Sequence, residues 1–64
     1  MVTQKELLEE IVRLIKEAGY NPKDQLFGYY KTGLDSYITR KGGAREMIKN
    51  LNKETLLLYI QNQT

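Results

Sequence analysis

Sixty-four residues with neither cysteine nor histidine set narrow limits on this chain. It is one domain at most, near the lower limit for folding without staples, and it lacks the commonest metal ligands, the thiol nucleophile and the commonest general base. The net charge of +2 is uneven: residues 1–19 carry Lys5, Arg13 and Lys16 against Glu6, Glu9, Glu10 and Glu17, net −1, whereas residues 20–64 carry seven basic against four acidic groups, net +3. That is a mild polarity, not a nucleic-acid composition.

The opening "MVTQKELLEE" turns polar and acidic too early for a signal peptide, and no apolar run approaches the roughly 20 residues of a membrane helix. A cytoplasmic location without membrane insertion is the expectation. Leu7, Leu8, Ile11, Leu14, Ile15 and Ala18 recur at the spacing of one helical face, with Val12 on its flank. Thr3 and Glu6 form a Thr-x-x-Glu capping box, and Glu9 with Arg13 makes an i,i+4 pair. The remaining charges read as a solvated face.

"AGYNP" at residues 18–22 reads as a stop, a corner and a restart. Gly19 takes the left-handed position after the first helix, with Tyr20 packing back on the last turn; Asn21 caps the next helix and Pro22 starts it. The second helix is expected from Pro22 to Thr32, stopped by Gly33. Leu26, Phe27, Tyr29 and Tyr30 cluster on one side, and Gln25, Gly28 and Thr32 form a small-residue stripe on the other. A glycine inside a helix costs about 1 kcal/mol relative to alanine. Gly28 is therefore either an idle surface position or a place where another backbone comes close.

"LDSYITRKGGAR" predicts an irregular or single-turn element, with Asp35 and Ser36 as turn or capping residues and Tyr37-Ile38 as an apolar anchor. Gly42-Gly43 defers the third helix to Gly43 or Ala44, from which it runs to Leu51 on an apolar face of Met47, Ile48 and Leu51. Asn52 caps a last helix over residues 53–61. Its consecutive Leu56, Leu57, Leu58, Tyr59 and Ile60 point all the way round, which calls for burial on every side and so for a second subunit. A central helix buried within one subunit is the competing arrangement.

No catalytic constellation emerges: Ser36 and the threonines lack a histidine, and the carboxylates Glu9, Glu10 and Asp35 fall on exposed surfaces. No cofactor or metal is expected. "RKGGAR" places glycines near a helix start, where an anion can sit, but without P-loop spacing. Arg40, Lys41, Arg45, Lys49 and Lys53 supply the material for an alternative reading, a small helical DNA- or RNA-binding regulator. Tyrosines in so small a domain more often serve as core residues with hydroxyls at the surface than as stacking platforms.

One string carries more than its composition. Gly19-Tyr20-Asn21-Pro22, Gln25-Leu26-x-Gly28-Tyr29, Gly33, Tyr37-Ile38-Thr39, Ala44-Arg45, Ile48 and Leu51 stand in one ungapped register over roughly residues 15–60. This pattern resembles the IreB family of Firmicute regulatory phosphoproteins. The resemblance implies a non-enzymatic, all-helical homodimer acting in the cytoplasm by protein–protein contact. It further implies phosphorylation by a transmembrane Ser/Thr kinase with extracellular PASTA repeats, an opposing phosphatase, and restraint of envelope-stress responses such as cephalosporin resistance.

Several features depart from the family pattern. The family's N-terminal tail, with its phosphate-accepting threonines, is longer; here a helix begins almost at once and Thr3 is the sole early phosphorylation candidate, as in a short, divergent member. "GLD" replaces Gly-Asp-Pro at residues 33–35, Gly43 replaces the Asn of Asn-Ala-Arg, and "NKETLLLYIQNQT" replaces an acidic last helix. The combined expectation is an all-α, single-domain bundle of four to five short helices over residues 1–64, assembled as a homodimer. Gly28, Leu57, Leu58 and Tyr59 are its interface candidates. Tyr20, Asn21, Pro22, Gln25, Gly28, Tyr29 and Arg45 would shape the corner and the subunit contact, with Arg45 also suited to gripping a carboxylate or phosphate.

Overall fold

Capping signals divide the chain into α1 (Gln4–Glu17), α2 (Pro22–Thr32), α3 (Ala44–Lys49) and α4 (Lys53–Asn62), with single 3₁₀ turns at Asp35–Tyr37 and Lys41–Gly43 between α2 and α3. These come from a computed structural model that describes residues 3–62, and no strand occurs among the described residues. The fold is the all-α bundle the periodicity predicts. No helix among the described residues is long and apolar enough to cross a membrane.

The capping box at Thr3 is complete: its Oγ1 accepts from the Glu6 N–H at 3.1 Å, and Glu6 reaches back to the Thr3 backbone. At the other end of α1, Gly19 (φ 88°) closes a Schellman motif. Its N–H donates to the Lys16 carbonyl at 3.0 Å and the Tyr20 N–H to the Ile15 carbonyl at 3.1 Å. Tyr20 itself is 56% exposed, so its ring leaves most of its surface in solvent instead of packing down as expected. Asn21 Oδ1 then accepts from the Lys23 and Asp24 N–H groups, and buried Pro22 begins α2.

The core collects Ile11, Leu14 and Ile15 of α1, Leu26, Ile38, Ala44 and Ile48, then Leu51, Leu56 and Ile60. Leu7, Leu8, Val12, Tyr29, Met47 and Tyr59 pack against it while remaining partly exposed. α1 lies on α3, and α2 lies on α4. A long-range staple joins the start of α1 to the turn between α3 and α4: Gln4 Oε1 accepts from the Asn52 N–H at 2.6 Å, and its amide donates to the Asn50 carbonyl at 3.3 Å. Asn52 caps α4 through its Oδ1, which accepts from the Glu54 N–H at 2.8 Å.

Four expectations are corrected. Arg13 pairs with Glu10 and Glu17, not with Glu9, because its guanidinium bridges carboxylates one turn before and one turn after it. Phe27 and Tyr30 do not join Leu26 in the core; they are 47% and 41% exposed, and the Lys31 ammonium lies 5.9 Å from the centre of the Phe27 ring. α3 ends at Lys49, two residues early, because Asn50 and Leu51 donate back to Met47 and Ile48 in tight i,i+3 turns that still bury Leu51. The competing arrangement for α4, a central helix buried within one subunit, does not hold: the helix buries Leu56 and Ile60 but leaves Leu57 and Tyr59 half-buried and Leu58 60% exposed.

A candidate recognition cleft

Between the corner and α3, the segment from Leu34 to Gly43 is held mainly by side chains reaching in from helices on either side. From α2, Gln25 Oε1 accepts from the Thr39 N–H at 2.9 Å. From α3, Arg45 Nε donates to the Ile38 carbonyl at 2.8 Å and Nη2 donates to the Ser36 carbonyl at 3.4 Å. Ile38 plugs the segment into the core at 1% exposure. Thr39 Oγ1 accepts from the Lys41 N–H at 3.3 Å, turning the chain toward the glycine pair.

Two glycines make room for this arrangement. A Cβ on Gly28 would stand 2.6 Å from Tyr37 Cδ1, so the missing side chain lets the tyrosine ring come close against α2. The close approach at Gly28 is thus made by a side chain of the same subunit. Gly42 (φ 60°) lies against Leu14 of α1, where a Cβ would meet the leucine side chain at 2.5 Å. Its left-handed conformation strongly disfavours any residue with a Cβ.

The result is an open recess of about 470 Å³. Tyr20, Gln25, Tyr37, Ile38, Thr39 and Arg45 of the motif line it, joined by Ser36, Arg40 and Lys41. Pattern reading therefore picked residues that meet in space, but not the reason they meet: Gln25 and Arg45 brace a backbone, and Gly28 seats a ring. Ser36 borders the recess with no histidine to activate it, and in the sequence only its place beside the Tyr37-Ile38-Thr39 run points to it. Asn21 and Pro22 serve the corner and lie outside the recess.

The five basic residues of the alternative reading are split. Arg40, Lys41 and Arg45 line the recess. The Lys49 ammonium sits 3.5 Å from Asp35 and 3.6 Å from Glu46. Lys53 borders a separate hollow with Tyr29, Tyr30, Gly33 and Leu56. A third hollow between α1 and α4 is lined by Lys5, Leu8, Glu9, Val12 and Tyr59, where burial pushes the tyrosine hydroxyl above its usual pKa. Thr3 is exposed, but its hydroxyl is engaged in the cap, with Glu6 Oε1 3.1 Å away. No cluster of three or more potential metal ligands occurs among the described residues.

Comparison with known proteins agrees with the motif. The family described as "IreB regulatory phosphoprotein" matches residues 2–63. A UPF0297 protein of Ruminiclostridium cellulolyticum is 36% identical over 63 residues, a match covering 91% of this chain and 72% of the relative. With nearly its whole length matched by the family, the chain belongs to the IreB family of regulatory phosphoproteins.

Proposed function

We propose that this chain is a non-enzymatic, homodimeric regulator that acts through protein–protein contacts in a Ser/Thr-kinase-linked pathway of cell-envelope stress or antibiotic resistance in the cytoplasm. Family membership over residues 2–63 is the observation that carries the proposal. Two surface features support a contact-based mode of action. One is the recess lined by motif residues. The other is α4, whose Leu58 is 60% exposed beside half-buried Leu57 and Tyr59. Apolar side chains so arranged favour burial against a second copy. Thr3 is the candidate phosphate acceptor, and a phosphate there would sit at the favourable end of α1 but must displace the Glu6 carboxylate from the cap.

Affinity capture from native cytosol under envelope stress, read by mass spectrometry for partners and phosphosites, tests the proposal. Recovery of a Ser/Thr kinase or its phosphatase together with a modified Thr3 supports the pathway. Unmodified protein under kinase-activating conditions removes the phosphoswitch. Sedimentation addresses the dimer separately: a monomer at tens of micromolar overturns it, while a dimer that Leu58→Glu dissociates places α4 in the contact.

A further inference from the structure

We infer that the recess is a receptor for a phosphorylated serine or threonine side chain of a partner protein, gripped by Arg40, Lys41 and Arg45. The inference deepens the protein-contact reading and rests on it. Three cationic side chains line the recess and no carboxylate does. Among the described residues, the Arg40 and Lys41 side chains have no ion-pair or hydrogen-bond partner. Arg45 spends two of its five N–H donors on the carbonyls of Ile38 and Ser36, which fixes the guanidinium plane without neutralising its charge. Two unpaired cations and a braced guanidinium thus line one recess with their charge unneutralised.

A ligand that brings more than one negative charge complements the three cations best. A phosphate monoester carries about −1.5 to −2 at neutral pH and offers three acceptor oxygens, whereas a carboxylate brings one charge and two oxygens. The volume of about 470 Å³ exceeds what a lone ion needs and falls in the range of ligand pockets. It accommodates the modified side chain together with its neighbours. Tyr20 and Tyr37, 56% and 46% exposed, line the same recess and leave apolar surface available to flanking residues.

A nucleic-acid backbone is the poorer fit. It needs a track of cations, yet Lys49 is already held by Asp35 and Glu46, and Lys53 belongs to another hollow. Arg40, Lys41 and Arg45 line one recess and not an extended track, which suits a single phosphate.

The test is a magnetic-resonance titration of the isotope-labelled full chain. The probes are the blocked peptide Ala-Ala-pThr-Ala-Ala, its unphosphorylated form, inorganic phosphate and an oligothymidylate. The phosphopeptide is expected to shift amides of residues 36–45 and to bind about tenfold or more tightly than the other three probes. Arg40→Ala combined with Lys41→Ala should weaken it about tenfold while the remaining amide spectrum stays in place, since both side chains are exposed. Absence of shifts at millimolar phosphopeptide, equal shifts by the unphosphorylated peptide, or indifference to the double substitution overturns the inference. So does inorganic phosphate binding as tightly as the phosphopeptide, or oligothymidylate binding more tightly. Partner capture that survives a failed titration leaves the regulator standing and removes only the phosphate receptor; a successful titration without partner capture does the reverse.

Discussion

α1 and the segment from Leu34 to Gly43 keep their shapes by opposite means. α1 satisfies its backbone internally, with a complete capping box at one end and a Schellman closure at the other. The segment forms only short turns, in which Tyr37, Ile38 and Gly43 donate to Leu34, Asp35 and Arg40. It borrows the rest of its order from Gln25 and Arg45. A helix that closes on itself can sit anywhere a hydrophobic face is wanted. A segment held by its neighbours exists only in that place, which makes it the better foundation for a recognition surface.

The strongest way to break this contrast is to ask whether the two regions share one core. Ile15 and Ile38 are 0% and 1% exposed. Ile15→Ala and Ile38→Ala should each cost about 2–5 kcal/mol in urea unfolding, through lost burial and the cavity left behind. A cost below about 1 kcal/mol at Ile38 alone would show that the segment rides on the bundle and is not part of it.

A subtler effect separates packing from propensity at Gly28. Alanine favours the helix by about 1 kcal/mol, but its methyl would meet the Tyr37 ring at 2.6 Å. Overpacking of this kind costs about 1–3 kcal/mol, so Gly28→Ala should lower stability by about 1 kcal/mol overall. In a Tyr37→Ala background the same change should become stabilising. Retention of the original sign there would mean that Gly28 serves some contact other than the tyrosine.

Comparable in size is the loss of the Gln25 brace. Gln25→Ala leaves the half-buried Thr39 N–H without its acceptor, a cost of about 1 kcal/mol. Its signature should be local: Thr39 amide exchange rises well before the amides of α1 do. Thr3→Ala provides the counterpart in the other region, removing the cap acceptor for Glu6 at a similar cost of about 1 kcal/mol. Exchange should then quicken in the first turn of α1 and leave Thr39 unchanged.

The same contrast explains what could be read from the residues alone. Apolar recurrence, the Thr-x-x-Glu box, Gly19 and Asn21-Pro22 are local signals, and they located α1, α2 and the corner between them. Nothing local announces that Gln25 accepts from Thr39, or that Arg45 reaches two carbonyls in the preceding loop. Such bonds have no period and depend on a tertiary arrangement. The motif marked these positions without supplying their roles. Phe27 and Tyr30 stay outside the core for a related reason: α2 has one face against the core and α4, and it has more aromatic residues than that face can hold.

The smallest expected effect belongs to α1 and concerns charge. Arg13, set between Glu10 and Glu17, lowers the Glu10 carboxyl below its ordinary pKa, chiefly by hydrogen bonding, and its own pKa is raised mainly by the bond to Glu10. A carboxylate whose folded pKa is depressed contributes stability in full above its unfolded value of about 4.3 and loses it as the pH falls through the lower folded value. Glu10→Gln should therefore narrow the stability difference between neutral and strongly acidic solution. The change should be slight and should fade in high salt, because Arg13 and both its partners are solvent-exposed. Segment amides, including Thr39, should not respond at all. A response there would show that the self-contained helix is less independent of its neighbour than its hydrogen bonds imply.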